Sequence, residues 1–403
     1  MQLRFILKLL KKVFLTAIVS ICILFVYWYY RPNNSNQIPE LSIESWSVVN
    51  NGKHNAFTDL IYWKGEFYLT YRIADFHSGS IKSKIVIMSS PDAKKWKELA
   101  LLDGNGSDIR DPKFAVVKDR LFIFALKGAH FFASPAKSAY SISIDGKSWT
   151  KFEDINFTGW LIWRPKTADG ITWYAPFFWH NLGQSYLMKS TDCINWSFTG
   201  KLYNGDNANE TEMTFVNDST LMAVGRAVFS NNYIASPEGF SVIFKSSFPF
   251  NNWSSYKRSF VTRLDGPNLF THKGNVYAIG RYQPISDVFS RSFGDLFSRK
   301  RTSIFLIKDY NLIYLTDILS NGDTSYSGAV IIGDTLYFSY YTSDITKDFP
   351  WLLGMFNPTS IRIGRLNLNS LEKFALNTCA KIANQVDISD SKKTTIKTSL
   401  IGE

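Results

Sequence analysis

The sequence predicts an all-β chain, a six-bladed β-propeller behind an N-terminal transmembrane helix. Three observations predict it. A short turn recurs: Ser143-Ile-Asp145-Gly-Lys-Ser-Trp149 shares the offsets of its Ser, Asp and Trp with Ser90-Pro-Asp92-Ala-Lys-Lys-Trp96 and Ser190-Thr-Asp192-Cys-Ile-Asn-Trp196. A fourth copy, Ser247-Phe-Pro-Phe-Asn-Asn-Trp253, keeps the Ser and Trp without the Asp. The copies lie 53, 47 and 57 residues apart, close to the length of a propeller blade. A second element, an apolar strand, a Gly or Asp turn and an aromatic strand, recurs six times: Phe57 to Arg72, Phe114 to Leu126, Pro165 to Phe178, Met213 to Arg226, Asn268 to Arg281 and Ala329 to Tyr341. Finally, Phe, Trp and Tyr make up 16% of the chain and fall in strand-like runs, which favours sheet. A five-bladed ring is the alternative, because residues 151–180 form the least regular copy.

The chain opens with a basic segment, residues 1–12, carrying Arg4, Lys8, Lys11 and Lys12. Residues 13–30 carry no charge and end in Tyr27-Trp-Tyr-Tyr30. That is about one bilayer span with an aromatic belt. The positive flank predicts a cytoplasmic N-terminus and a propeller on the periplasmic or extracytoplasmic side. With no small-x-small site after the apolar run, the segment reads as an uncleaved signal anchor. Residues 31–45 read as a linker, 46–379 as the propeller and 380–403, rich in Lys, Ser, Thr and Asp, as a disordered tail. Residues 284–301 read as a rim loop between blades.

The formal charge of +11 is spread out, with no dense Lys/Arg block in the globular part. It points away from nucleic acid and towards an anionic glycan or a membrane surface. Three cysteines, Cys22, Cys193 and Cys379, cannot make a disulfide framework, although the last two could pair. No Cys/His cluster suggests zinc, and no metal or cofactor is expected.

The turns themselves are structural: an Asp carboxylate can accept backbone N–H bonds of its own turn, and a Trp can fill the space between sheets. Chemistry is expected where inner strands meet the axis. Arg72, Arg226 and Arg281 each end an aromatic strand, and convergent guanidiniums suit a carboxylate. Acids precede three inner strands, in Asp108-Ile-Arg110-Asp111-Pro112, Asn209-Glu210-Thr-Glu212 and Asp323-Thr-Ser-Tyr326.

These blocks, with the recurrent Ser-x-Asp-x-x-x-Trp turns, resemble the sialidase (neuraminidase) superfamily. Asn209-Glu210 with Arg226 resembles the segment carrying the second Arg of the carboxylate-binding triad. Gly266-Pro-Asn268 with Gly280-Arg281 resembles that of the third, and Gly322-Asp323-Thr-Ser-Tyr326 that of the nucleophilic Tyr. His54-Asn-Ala-Phe-Thr-Asp59 and Asp108-Ile-Arg-Asp-Pro112 are similar to a bacterial exo-α-sialidase-like subfamily. The resemblance covers residues 50–345. It implies a retaining glycoside hydrolase acting on a terminal acidic sugar. Tyr326 would be the nucleophile, Glu210 its base, and Asp111 or Asp75 the acid. Arg72, Arg110, Arg226, Arg281, His77 and Asp323 would bind substrate. The first triad Arg is missing near His54-Asn55-Ala56, and Arg72 is the spatial substitute to look for. Two alternatives stand: Arg110-Asp111-Pro112 also resembles an element of carboxylate-dependent furanosidases, and a non-catalytic glycan-binding propeller fits the missing Arg.

Overall fold

The structure, a computed structural model, describes residues 2–128, 136–228, 239–283 and 295–399. Strand β1 (Glu44–Val49) comes first in the chain but belongs to the last sheet. Blade one follows as β2 (His54–Trp63), β3 (Glu66–Ala74), β4 (Lys84–Ser90) and β5 (Lys97–Asp103). Blade two is β6 (Asp108–Val117), β7 (Arg120–Gly128), β8 (Lys137–Ser143) and β9 (Glu153–Asp154). In blade three the inner strand is broken into β10 (Trp160–Ile162) and β11 (Lys166–Thr167), both paired with β12 (Trp173–Trp179), and β13 (Gln184–Ser190) and β14 (Ser197–Asn204) complete it. Blade four is β15 (Thr211–Asn217), β16 (Thr220–Val228), β17 (Gly239–Ser247) and β18 (Tyr256–Ser259). Blade five is β19 (Asp265–His272), β20 (Asn275–Tyr282), β21 (Arg301–Lys308) and β22 (Asn311–Ile318). Blade six is β23 (Thr324–Ile332), β24 (Thr335–Thr342) and β25 (Ser360–Asn367), with β1 as its outer strand.

The ring is therefore a six-bladed propeller, and the irregular copy is a blade whose inner strand Pro165 interrupts. It is closed by pairing the start of the chain with its end: Trp46 lies opposite Ile363 in an antiparallel ladder. Up-and-down order fixes the two ends of the ring. The leading ends of the first strands and the loops after the second strands share one end, and the turns between first and second and between third and fourth strands share the other.

The recurrent turns all join third to fourth strands. Asp92 Oδ1 accepts the N–H groups of Lys94 and Lys95, both at 2.9 Å, and Asp145 Oδ1 those of Lys147 and Ser148 at 2.8 and 2.7 Å. These bonds hold both carboxyls below the usual range. In all four turns the indole donates to the carbonyl three residues back, from Trp96 to Ala93, Trp149 to Gly146, Trp196 to Cys193 and Trp253 to Phe250. The accepting residue has a positive φ each time, 58°, 74°, 60° and 63°. The fourth copy keeps this geometry without its Asp. A fourth Asp turn, between β11 and β12, went unread because Thr replaces Ser: Thr167-Ala-Asp169-Gly-Ile-Thr-Trp173, where Asp169 Oδ1 accepts Ile171 and Thr172 N–H at 2.8 and 2.7 Å.

The structure adds detail to the segments outside the blades. Residues 31–38 are no free linker; they bond to the ends of blades five and six, with Asn36 N–H donating to Asp317 Oδ2 at 2.8 Å and Asn33 N–H to the Thr346 carbonyl at 3.2 Å. The segment from 380 is helical rather than disordered as far as Ser399, in a helix running from Leu368 that Leu371 and Ala375 seat on the sheet and that meets no Gly or Pro before its end. Cys193 and Cys379 do not pair: one is buried in the third blade's turn, the other lies on that helix, and both are free. Residues 284–294 of the expected rim loop lie outside the described residues; Asp295–Phe297 is a 3-10 turn.

The N-terminal helix α1 (Gln2–Tyr30) includes Arg4–Tyr27, long and apolar enough to cross a membrane, with none of that stretch buried in the protein. Among the described residues, two further helices are α2 (Trp351–Phe356), between β24 and β25, and α3 (Leu368–Ser399).

Candidate active site

Polar residues of neighbouring blades meet inside the ring: Arg164 and Lys166 both pair with Glu212. At the centre, β23 bulges between Ser325 and Gly328. Ser325 and Tyr326 take φ of 95° and 50°, a conformation disfavoured for such residues. The bulge turns the Tyr326 phenol onto Glu210, and its Oη donates to Glu210 Oε1 at 2.7 Å. The other carboxylate oxygen accepts the Gly266 N–H at 2.7 Å, and Arg226 Nη1 stands 3.1 Å from Oε1. Burial, with the Glu210 charge beside it, holds the Tyr326 phenol well above its ordinary range, against Arg226 and Arg281.

Gly266 makes this approach possible. It has φ +57°, and a Cβ there would stand 2.5 Å from Tyr326 Cγ. Gly266→Ala is expected to push the phenol off Glu210 and, if Tyr326 is a reacting group, to lower kcat by about 100-fold, the cost of misplacing such a group by about 1 Å. Steady-state kinetics on a folded variant checks it.

Asp111 lies across the mouth at the β6 bulge, with φ +53°. It is 8% exposed, and its Oδ1 has no hydrogen-bond partner. Burial pushes its carboxyl up to about 6, against Lys113, with the Glu210 charge adding to the rise. Asp75 is elsewhere: its side chain is 53% exposed and pairs with Lys53 on the rim. The structure thus brings Asp111, and not Asp75, to the Tyr326–Glu210 pair.

The arginines divide by role. Arg226 is held by Asn209 Oδ1 at 2.6 Å and borders Glu210. Arg281 is enclosed: its Nε donates to the Thr324 carbonyl at 2.8 Å, its Nη2 to Asp323 Oδ1 at 3.0 Å and to Tyr341 Oη at 2.7 Å, and its guanidinium lies 5.1 Å from the Tyr326 ring centre. Arg72 is engaged by the protein's own groups. Fully buried, it donates to Asp108 Oδ1 at 2.8 Å and to the carbonyls of Phe76 and Ser78, tying down the loop after β3. Arg110 pairs with the other Asp108 oxygen and keeps its guanidinium 6.0 Å from the Phe57 ring.

Asp323 and His77 belong to a hub of hydrogen bonds. Asp323 Oδ2 lies 2.9 Å from His54 Nε2 and 2.6 Å from His77 Nδ1, while Oδ1 accepts from Arg281, from Tyr341 Oη at 3.0 Å and from Trp351 Nε1 at 2.8 Å. His77, Asp323, Tyr341 and Phe57 pack as one block under Tyr326. Burial pulls His77 down to about 4 against the attraction of Asp323, so it is neutral near pH 7. His54, His77 and Asp323 are, among the described residues, a group spaced to hold a metal ion. The Arg281 guanidinium on the same carboxylate opposes a second cation there.

Sequence reasoning missed Trp351, Asp265 and Arg164. Asp265 accepts from Arg263 and Gln283 and lies 3.6 Å from both Arg226 and Arg281. Arg164 binds Asp59 at 3.0 Å and pairs with Glu212 deeper on the axis. The two-residue spacing of Arg164 and Lys166 was the available signal, hidden by Pro165 between them.

The six blades give the chain a propeller fold like that of several solved sialidases. It superposes on a mutant of Trypanosoma rangeli sialidase displaying trans-sialidase activity with a TM-score of 0.58 at 13% identity, over 85% of this chain and 61% of that one. It also superposes on the Hadza microbial sialidase Hz136, with a TM-score of 0.53 at 15% identity over 79% and 66%. For a point mutant of NanB sialidase from Streptococcus pneumoniae the TM-score is 0.56 at 11% identity over 84% and 71%. The chain spans about three fifths of the length of the Trypanosoma rangeli proteins. No protein-family model matches the chain, and no curated protein matches it.

Proposed function

We propose that the chain is a membrane-anchored glycoside hydrolase that removes a terminal, anionic sugar with retention. The observation that carries this reading is the 2.7 Å bond from a buried Tyr326 to Glu210 at a strained bulge. A neutral phenol needs a base to become a nucleophile, and Glu210 is placed to take its proton as Oη attacks the anomeric carbon. The glycosidic bond breaks as Asp111 gives a proton to the leaving oxygen; ionised Asp111 then draws a proton from a water that displaces Tyr326 Oη from the sugar, and the phenol takes its proton back from Glu210. Arg226 and Arg110, at the mouth, supply the positive field for the sugar's acidic group, while the bonds around Arg281 make it a support for the Tyr326 ring. The anchor is α1, with the propeller on the extracytoplasmic side.

Hydrolysis of a panel of fluorogenic α-linked acidic and neutral glycosides tests the reading. Cleavage confined to neutral furanosides and indifferent to Tyr326 would sink it.

Asp111 gives a second check. An acid must hold its proton, so kcat/KM is expected to fall as pH rises through about 6. Asp111→Asn should lose about 10²–10⁴-fold on substrates with poor leaving groups and much less on activated aryl glycosides. The same substitution should stabilise the fold. A carboxyl raised from 3.8 to about 6 on folding loses stability as pH rises between those values. Asn, tolerant of positive φ, recovers about 3 kcal/mol at pH 7 and close to nothing at pH 3. Urea unfolding at the two pH values reads the difference.

A further inference from the structure

The anchor and the site share one end of the ring. The loops that follow second strands lie at the end where Tyr326, Glu210 and Asp111 stand. The segment between β24 and β25 is one of these loops, and it holds both the end of α1 and the Asp323 hub. Tyr29 stacks on Phe349 with ring centres 5.8 Å apart, and Lys347 Nζ sits 4.1 Å from the Tyr29 ring centre. The Asp348 N–H donates to the Arg31 carbonyl at 2.7 Å. Asp348 also takes Arg301 at 2.5 Å and lies 3.7 Å from Arg31. Two residues beyond Phe349, Trp351 Nε1 donates to Asp323 Oδ1. Helix α2 then lies on the hub so closely that a Cβ on Gly354 would stand 2.1 Å from Asp323 N, and the Met355 carbonyl accepts the His77 N–H at 3.0 Å.

Residues 31–38 extend this attachment to Thr316, Asp317 and Ser320 at the same end of blade five. A flexible tether would let the ring turn either end to the membrane. A chain bonded along its length from the aromatic belt of α1 to the site's own loops fixes which end approaches.

We infer that the site acts on the headgroup of a glycoconjugate embedded in the same membrane as α1, because the anchor leaves the propeller beside the Asp323 hub. This rests on the hydrolase reading above. Substrate and enzyme confined to one bilayer meet at a raised effective concentration, and a mouth turned to the headgroups uses it.

The test uses the full chain in phosphatidylcholine vesicles. The first arm measures orientation without activity. In a Cys22→Ser/Cys379→Ser background, Phe356→Cys on α2 or Ile144→Cys on a turn at the opposite end carries an environment-sensitive dye; both residues are well exposed. Quenching by nitroxide headgroup lipids at 356 and not at 144 supports the inference; equal quenching, or quenching at 144 alone, overturns it. The second arm compares a sialylated glycolipid in the enzyme's own vesicles, the same glycolipid in separate vesicles, and its free oligosaccharide. At least about tenfold faster release from shared vesicles is expected. Tyr326-dependent cleavage of the free sugar at the same rate overturns the inference and leaves the hydrolase reading standing. No cleavage of any glycoside, in this arm and in the fluorogenic panel, removes the hydrolase reading, and the inference with it.

Discussion

Tyr326→Phe is expected to abolish glycoside hydrolysis, by at least about 10³-fold in kcat, while the propeller stays folded. The ring keeps its packing against Phe57 and its cover by Gly266, so only the Oη and its bond to Glu210 are lost. Glu210 retains the Gly266 N–H and Arg226, so no buried charge is left alone. A nucleophile removed without disturbing its neighbours costs the whole covalent route. Single-turnover assays with circular dichroism as the control separate this from unfolding. Retention of more than about a tenth of the activity would mean that the bond to Glu210 serves architecture rather than chemistry.

Asp323→Asn should have the opposite character, with a large loss of stability and loss of activity following from it. One carboxylate accepts from two imidazoles, a guanidinium, a phenol and an indole, all at the foot of the site. Burial opposes its charge, but His77, His54 and Arg281 hold it ionised well below the usual carboxylate range. The amide removes the negative charge that Arg281 needs and turns an N–H₂ group towards existing donors. Breaking a buried pair in this way costs about 3–5 kcal/mol. A lower denaturant midpoint with an unchanged m-value is the expected readout. Asp75→Asn, on an exposed carboxylate, should move neither stability nor kcat/KM beyond about 0.5 kcal/mol. If Asp323→Asn is equally silent, the hub is not what holds Tyr326 and Arg281 in register.

The ring was legible because repetition survives translation into sequence: a Ser, an Asp and a Trp at fixed offsets need no knowledge of what they touch. The copy with Thr167 was lost to a single methyl group, although its Asp accepts the same two backbone N–H bonds as the others. Strand ends were a sound guide to position, and Tyr326, Glu210, Asp111, Arg226 and Arg281 all lie together on the axis. What each cation faces was not legible. Arg72 and Arg281 end equivalent strands, yet one ties down a loop and the other supports the phenol, because Asp108 and Asp323 arrive from other blades. Trp351 lies in a stretch without period, so nothing in its surroundings pointed to the carboxylate it bonds. A raised carboxyl such as Asp111 follows from desolvation, which only the assembled ring supplies.

The pairing of Trp46 with Ile363 also bears on how the molecule is made. The strand that completes the sixth blade leaves the ribosome first, and its partner β25 follows more than three hundred residues later. Until then blade six has an open edge, and β2 lacks the neighbour it packs on in β23. Contacts so distant in sequence close slowly. An unpaired strand left waiting is a template for joining another chain. Docking residues 31–38 on blades five and six holds that first strand beside the place its partner will fill. A soluble fragment cut just before β1 keeps the ladder but gives up this positioning. One that begins at Arg31 keeps both and should refold with less association between chains.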